Sequence, residues 1–365
     1  MIDIKINALI VLADNIYLTP YINLYISILN RLNINYKVIY WDKNNNEYIN
    51  DSRYIRYSYK DRSKVSKIIG YIKYRSLIIN NLKKKNYTII IPLHGIVSFI
   101  LFDVLMLKFK NRYIYDIRDY SYEKLLIYRI IQRILVNNSM INIISSKGYK
   151  EFLPKGEYFI THNIPYNDYK KYKQYEKSSC SKISISYIGL IRFMEQNKRI
   201  LRFFKNDNRF HLNFIGTNAM GLKEFCERNN IYNVTLKDTF NSSETLNYYK
   251  DTDLIMNLYG NKTPLLDYAL SNKLYYSACL YKPILVCEGT YMEKISKEYG
   301  IGFTLSMNNI EEKDILYKYI FEMKRNKFID NCNIFMKEVY EENSKLEIEL
   351  TNRLENIKEK VEIND

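Results

Sequence analysis

The chain has 365 residues, enough for two domains of ordinary size with well-buried cores. Its 47% hydrophobic and 26% charged residues, with 6 Pro and 11 Gly, exclude global disorder and collagen-like or linker-rich architectures. The formal charge of +15 is unevenly spread, since residues 1–165 hold 25 Lys and Arg against 12 Asp and Glu. Such asymmetry points to a polyanionic partner.

In chain order, Ile6–Leu12 reads as a buried strand. Thr19-Pro20 then opens a helix with Thr as N-cap, Pro in the first turn, and Ile22, Tyr25, Ile26, Leu29 and Leu32 on one face. Tyr36–Trp41 is the next strand. Residues 51–85 carry eleven cations against Asp51 and Asp61, with Val65, Ile68, Ile69 and Ile72 at helical spacing among them. This basic amphipathic helix suits the anionic face of a membrane better than nucleic acid, and no nucleic-acid partner is expected; the plain alternative is a solvated face on a core-packed helix. Tyr87–Pro92, Arg112–Ile117 and Ile141–Ser145 read as strands, Gly95–Leu107 and Tyr122–Val136 as helices, and a short strand ends at Thr161.

Residues 166–181 are polar and lysine-rich, as a linker would be, and the alternation then restarts. Strands at Ile183–Ile188, His211–Ile215, Val234–Leu236, Leu254–Leu258 and Pro283–Cys287 interleave with helices at Asn197–Phe204, Met220–Asn229, Ser242–Lys250, Asp267–Leu280 and Tyr291–Tyr299. The expected fold is therefore α/β, two Rossmann-like domains with parallel sheets facing across a cleft: residues 1–165, then 182–309, then a helical tail 310–365. The apolar run Ala8–Ala13 is too short for an export signal. Gly95–Leu107 contains Asp103 and falls short of the roughly 20 residues that span a bilayer. Five scattered Cys with no C-x-x-C pair argue against a disulfide framework or a structural metal, and fit a reducing cytoplasm.

Ligands of open parallel sheets lie beyond the carboxyl ends of the strands. No G-x-G-x-x-G follows the first strand, and there is neither a P-loop nor a G-x-S-x-G elbow. Asp251-Thr252-Asp253 precedes its strand, so it is read as a helix cap or as lining the opposite sheet edge, not as a metal triad. Three strand-end loops of the second half suit a nucleotide diphosphate: Gly189 with Arg192, Gly216, and Glu288-Gly289-Thr290 at a helix start.

The segment Asn272-Lys273-Leu274-Tyr275-Tyr276-Ser277-Ala278-Cys279-Leu280-Tyr281-Lys282-Pro283 resembles the N-K-L-Y-E-Y-x-A-x-G-K-P signature of GT-B glycosyltransferases, family 4 and group 1, of bacterial capsule, O-antigen and exopolysaccharide assembly. Y-I-G-L-I-R (Tyr187–Arg192), F-I-G (Phe214–Gly216), Y-x-x-x-D-L-I-x-N-L-Y (Tyr249–Tyr259) and G-I-G (Gly300–Gly302) fall in the expected order. Y-D-I-R-D (Tyr115–Asp119), S-S-K-G-Y (Ser145–Tyr149) and H-N-I-P (His162–Pro165) are similar to the acceptor half, so the resemblance spans about residues 5–305.

The resemblance implies a metal-independent transferase with no cofactor beyond its nucleotide diphosphate sugar donor. Lys273 and Arg192 would neutralise the leaving diphosphate, and Gly189, Gly216, Asn272, Tyr276, Glu288, Gly289 and Thr290 would line the donor pocket. The family's paired glutamates are here Tyr268 and Tyr276, with Asp267 and Glu288 nearby as replacements, and Tyr281 stands where Gly is usual. On the acceptor side, His94 and Asp119 are the catalytic candidates and Asp116 is an alternative turn cap. The resulting expectation is transfer of a sugar to a lipid-linked oligosaccharide by a cytoplasmic protein held peripherally on the inner membrane face. A nucleotide-sugar epimerase or hydrolase of the same fold, or a non-catalytic scaffold, remains open.

Overall fold

The computed structural model describes residues 6–60, 63–164 and 182–363; the expected linker lies outside them. The chain divides into two compact units, residues 1–162 with 341–365, and residues 163–340.

The first unit's strands are β1 (Asn7–Leu12), β2 (Asn35–Asp42), β3 (Tyr54–Ser58), β4 (Ile89–Leu93), β5 (Ile114–Ile117), β6 (Ile141–Ile144) and β7 (Phe159–Ile160). They form one parallel sheet in the order β3-β2-β1-β4-β5-β6-β7. Its helices are α1 (Ile22–Arg31), α2 (Lys64–Lys84), α3 (Gly95–Ile100), α4 (Phe102–Lys108) and α5 (Leu126–Asn138). The chain reverses direction across the sheet between β1 and β4, which makes their carboxyl ends the switch point. The core packs Ile22, Tyr25, Ile28 and Leu29 of α1 on Ile10, Val38 and Ile91 of the sheet.

Two local expectations are corrected here. Thr19 does not cap α1, whose cap residue is Tyr21; its hydroxyl donates back toward the carbonyls of Asn15 and Ile16, 3.1 Å away, closing a short 3-10 turn. β3 emerges within the cation-rich stretch, for which no strand was expected, and Arg56 on it lies on the same sheet face as the buried Asp42 and pairs with its carboxylate at 2.7 Å.

The second unit repeats the plan with β8 (Ile183–Ile188), β9 (Phe210–Ile215), β10 (Val234–Lys237), β11 (Leu254–Asn257), β12 (Ile284–Cys287) and β13 (Gly302–Leu305), parallel in the order β10-β9-β8-β11-β12-β13. Around them lie α6 (Met194–Phe203), α7 (Lys223–Arg228), α8 (Thr245–Lys250), α9 (Pro264–Asp267), α10 (Asn272–Leu280), α11 (Tyr291–Tyr299) and α12 (Glu312–Glu322). The helix expected over Asp267–Leu280 is two helices, because Ser271 caps a fresh start by accepting the Lys273 amide. β13, absent from the sequence reading, begins on the last glycine of the G-I-G segment. The tail contains α12 and α13 (Arg325–Ile363), and α13 begins in the second unit and ends in the first. There Leu346, Leu350 and Leu354 join the first unit's core, and Glu342 accepts from His162 at 2.7 Å.

Candidate functional site

In the second unit the switch point lies between β8 and β11, and the candidate donor residues gather at its carboxyl edge. Gly189 and Gly216 end the neighbouring strands β8 and β9 with φ of +116° and +131°. Their backbones touch: a Cβ on Gly216 would stand 2.0 Å from the Gly189 carbonyl oxygen. Glycine at 216 is what lets the two loops close, and at both positions it holds a backbone that L side chains rarely adopt.

Lys273 enters this corner from the first turn of α10. Its ammonium donates to the Tyr259 hydroxyl at 3.0 Å, lies 4.6 Å from the centre of the Tyr187 ring, and is 4.0 Å from where a Gly189 Cβ would be. Burial lowers its pKa to about 8, the Arg192 cation pushes the same way, and Tyr187 opposes both. The pocket therefore holds a desolvated ammonium with a second cation close enough to feel it. An arriving anion would relieve both penalties. Tyr187 also fixes the loop: its hydroxyl donates to the Leu190 carbonyl (3.0 Å) and accepts the Arg192 amide (3.1 Å), while the Arg192 side chain stays exposed.

The third strand-end loop is built differently from expectation. Thr290 caps α11 by accepting the Glu293 amide, and the Gly289 amide donates to the Glu293 carboxylate at 2.7 Å. That helix start thus already carries a side-chain anion, which complements its dipole. Glu288 is exposed and lines a cavity of about 140 Å³ with Arg199, Asn261 and Lys262 at the ends of β11, β12 and β13. Asn272 is exposed at the start of α10. Tyr276 stacks on the buried Tyr249 ring at 5.0 Å, a packing contact between α10 and α8. Asp267 keeps one carboxylate oxygen buried without a hydrogen-bond partner, and burial raises its pKa.

Asp253 accepts the Ser184 amide at 2.8 Å, and Thr252 is buried against Ser186. The D-x-D segment therefore sits at the amino edge of the sheet, opposite the glycine loops. Lys282 donates to the carbonyls of Lys250 and Thr252 (3.1 and 2.5 Å), closing the end of α8.

In the first unit, His94 follows β4 at the switch point with φ +76°. Its Nε2 meets the Tyr21 hydroxyl. Burial lowers the imidazole pKa to about 4 and, foremost among its causes, raises that of Tyr21, so a neutral His94 accepts from a protonated phenol. Arg118 lies 4.0 Å from the Tyr21 ring centre and forks onto Asp116 with bonds of 2.6 and 2.8 Å, while Tyr25 donates to the same carboxylate at 2.6 Å. Asp116 is consequently a buried anchor for Arg118. Asp119 is exposed two residues past β5, near enough to Tyr21 to raise its pKa. Sequence reading missed Tyr21, Arg118, Tyr187 and Tyr259 as members of these clusters; Arg118, Tyr187 and Tyr259 lie inside the quoted motifs, but a tyrosine's packing against a cation has no spacing signature.

Taken together, the two parallel sheets and their strand-end loops define a GT-B α/β protein with a cationic corner in its second unit. No protein-family model matches the sequence, and no curated protein matches it. Solved structures share the fold. Sucrose-phosphate synthase from Thermosynechococcus elongatus aligns at TM-score 0.65 with 10% identity, over 99% of this chain and 100% of that one. The lipopolysaccharide glycosyltransferase WaaG aligns at 0.65 with 11% identity, over 93% and 98%. Anabaena HepE, solved in complex with UDP and glucose, aligns at 0.60 with 10% identity, over 94% and 99%.

Proposed function

We propose that this chain is a glycosyltransferase that moves a sugar from a nucleotide diphosphate donor to a lipid-linked saccharide at the inner membrane face, in surface polysaccharide assembly. The observation that carries it is the buried Lys273 ammonium beside Gly189 at the β8–β11 switch point. As the bond between the sugar's anomeric carbon and the phosphate oxygen breaks, its electron pair stays on the diphosphate. Lys273 and Arg192 would stabilise that growing charge more than the ground state, while the acceptor hydroxyl bonds to the anomeric carbon and its proton passes, directly or through water, to the departing diphosphate. The UDP complex of HepE, a fold neighbour, supports this donor class.

The membrane half of the proposal draws on α2. α2 packs on the core through Gly70, Tyr74, Ile78 and Leu82, but Val65, Ile68, Ile69 and Ile72 are 41–67% exposed among Lys64, Lys67 and Lys73, so these four are not its packed face. Lys83–Lys85 lie about 16 Å or more beyond Ile72, at the far end of the helix, so the first half of α2 is the stretch to neutralise. Among the described residues no helix is long and apolar enough to cross a membrane.

Calorimetric titration with UDP-, GDP- and dTDP-sugars tests the donor reading, with Lys273→Ala expected to weaken binding at least about tenfold. Unchanged affinity would remove Lys273 from the site. The scaffold reading, favoured by Tyr276 serving as a packing residue, expects no binding of any donor.

A further inference from the structure

α5 presents an unusual outer face. Tyr128, Gln132, Leu135 and Val136 pack inward, yet the positions turned outward include Leu126, Ile127, Ile130 and Ile134, which are 70%, 58%, 48% and 37% exposed. A surface helix ordinarily places polar residues there. Along one flank run the exposed Arg129 and Arg133, and between α5 and residues 152–155 lies a groove of about 610 Å³, lined by Leu126, Ile130 and Phe152 with Arg129, Arg133 and Lys155. From Lys124 to Lys150 the chain has five Lys or Arg and no Asp or Glu.

We propose that this groove and the outer face of α5 seat the first unit on an anionic lipid bilayer, the cations meeting headgroup phosphates and Leu126, Ile130 and Ile134 entering the acyl boundary. An apolar stripe flanked by cations is the pattern that lies in a membrane interface. The inference rests on the bilayer-bound acceptor proposed above, and it names an element the sequence did not single out. Topology adds a second support. The connections β3 to β4 and β5 to β6 run the same way along the sheet, so right-handed crossovers place α2 and α5 on one face. The exposed apolar residues of α2 and most of those of α5 lie toward the helix starts, so both patches belong to the same sheet face and to the carboxyl edge of the strands. A second copy of the chain fits less well, because a twofold interface sets a patch against itself and would oppose cation to cation. Nucleic acid would neutralise the arginines while leaving the leucine and isoleucines in water.

The test is co-sedimentation of the full chain with phosphatidylcholine vesicles, with and without phosphatidylglycerol, alongside sedimentation velocity without lipid. The wild type is expected to bind only the anionic vesicles. Leu126→Gln/Ile130→Gln/Ile134→Gln should lower partitioning at least about tenfold at any salt concentration, whereas Arg129→Gln/Arg133→Gln should lower it chiefly at low salt. All these residues are exposed, so both variants should keep the wild-type thermal transition. Wild-type partitioning by the triple variant, no vesicle binding by the wild type, or a lipid-free dimer that the triple variant dissolves would each overturn the proposal. Donor titration of the same variants separates the two readings: loss of vesicle binding with donor affinity intact supports this surface, and absence of donor binding in every form counts only against the transferase.

Discussion

Lys273 is the residue whose protonation the donor reading needs, and its environment predicts how pH enters. The free site holds its pKa near 8, and a bound diphosphate would raise it. Donor affinity should therefore be full below about pH 8 and fall as pH climbs above it, by at most tenfold per unit, until the occupied site also loses its proton. Stability should move the opposite way. A lysine whose folded pKa lies below the ordinary value of about 10.4 releases its proton more readily when folded, so this group's contribution favours the folded state increasingly from about pH 8 to 10.4. Calorimetry at pH 7, 8 and 9 beside thermal melts checks both signs, and parallel trends would contradict the assignment.

His94 invites the complementary experiment. With a pKa near 4 it is neutral at physiological pH, so a rate that needs its neutral imidazole should be level above about pH 5 and decline below about 4. His94→Ala is expected to reduce turnover on a lipid-linked acceptor while leaving donor affinity unchanged. Equal turnover would make His94 a structural partner of Tyr21.

At the scale of elements, the strand-end loops are set by backbone contact. Gly216→Ala would put a methyl group 2.0 Å from a carbonyl oxygen at φ +131°, so the cost should be about 3 kcal/mol, from overpacking and backbone strain together. Denaturant melts measure it, and a change under about 0.5 kcal/mol, as at an ordinary surface position, would mean the loops do not close as described. The end of α10 shows the reverse economy. Tyr281 holds the left-handed position (φ +54°) that glycine usually fills, yet its ring is buried and its hydroxyl donates to Asn333 at 2.8 Å. Burial worth about 1.5–3 kcal/mol outweighs a left-handed penalty of about 1–2 kcal/mol, so the departure from the glycosyltransferase signature is a packing choice in the second unit. Lys282 likewise serves the end of α8.

For the whole molecule, α13 ties the end of the chain into its beginning. Leu346, Leu350 and Leu354 are at most 1% exposed in the first unit's core, and each contributes roughly 2 kcal/mol by burial. A chain ending at Tyr340 forfeits about 6 kcal/mol against a total stability of about 5–15 kcal/mol for a domain. It should lose the first unit's cooperative unfolding and keep the second's, as read by calorimetric scanning or limited proteolysis. Retention of both transitions would show that the first unit stands without the helix.

The alternation of apolar runs and helical periods was enough by itself to mark the inner strands of two doubly wound parallel sheets, because strands buried on both faces must be continuously apolar and their crossovers must be helical, but the half-exposed edge strands β3 and β13 carry no such run. Glycines after strands, with the Asn272–Pro283 segment, likewise marked the cationic corner. What periodicity does not encode is who meets whom across the fold. That Asp116 is consumed by Arg118, that Glu293 fills the start of α11, and that Leu346 of the tail joins the same core as Ile10 are relations between residues far apart in chain or turned toward each other by local geometry. The outer face of α5 makes the same point, since its period is that of any amphipathic helix. Only the packing of Tyr128 and Gln132 inward decided that Leu126 and Ile130 face water.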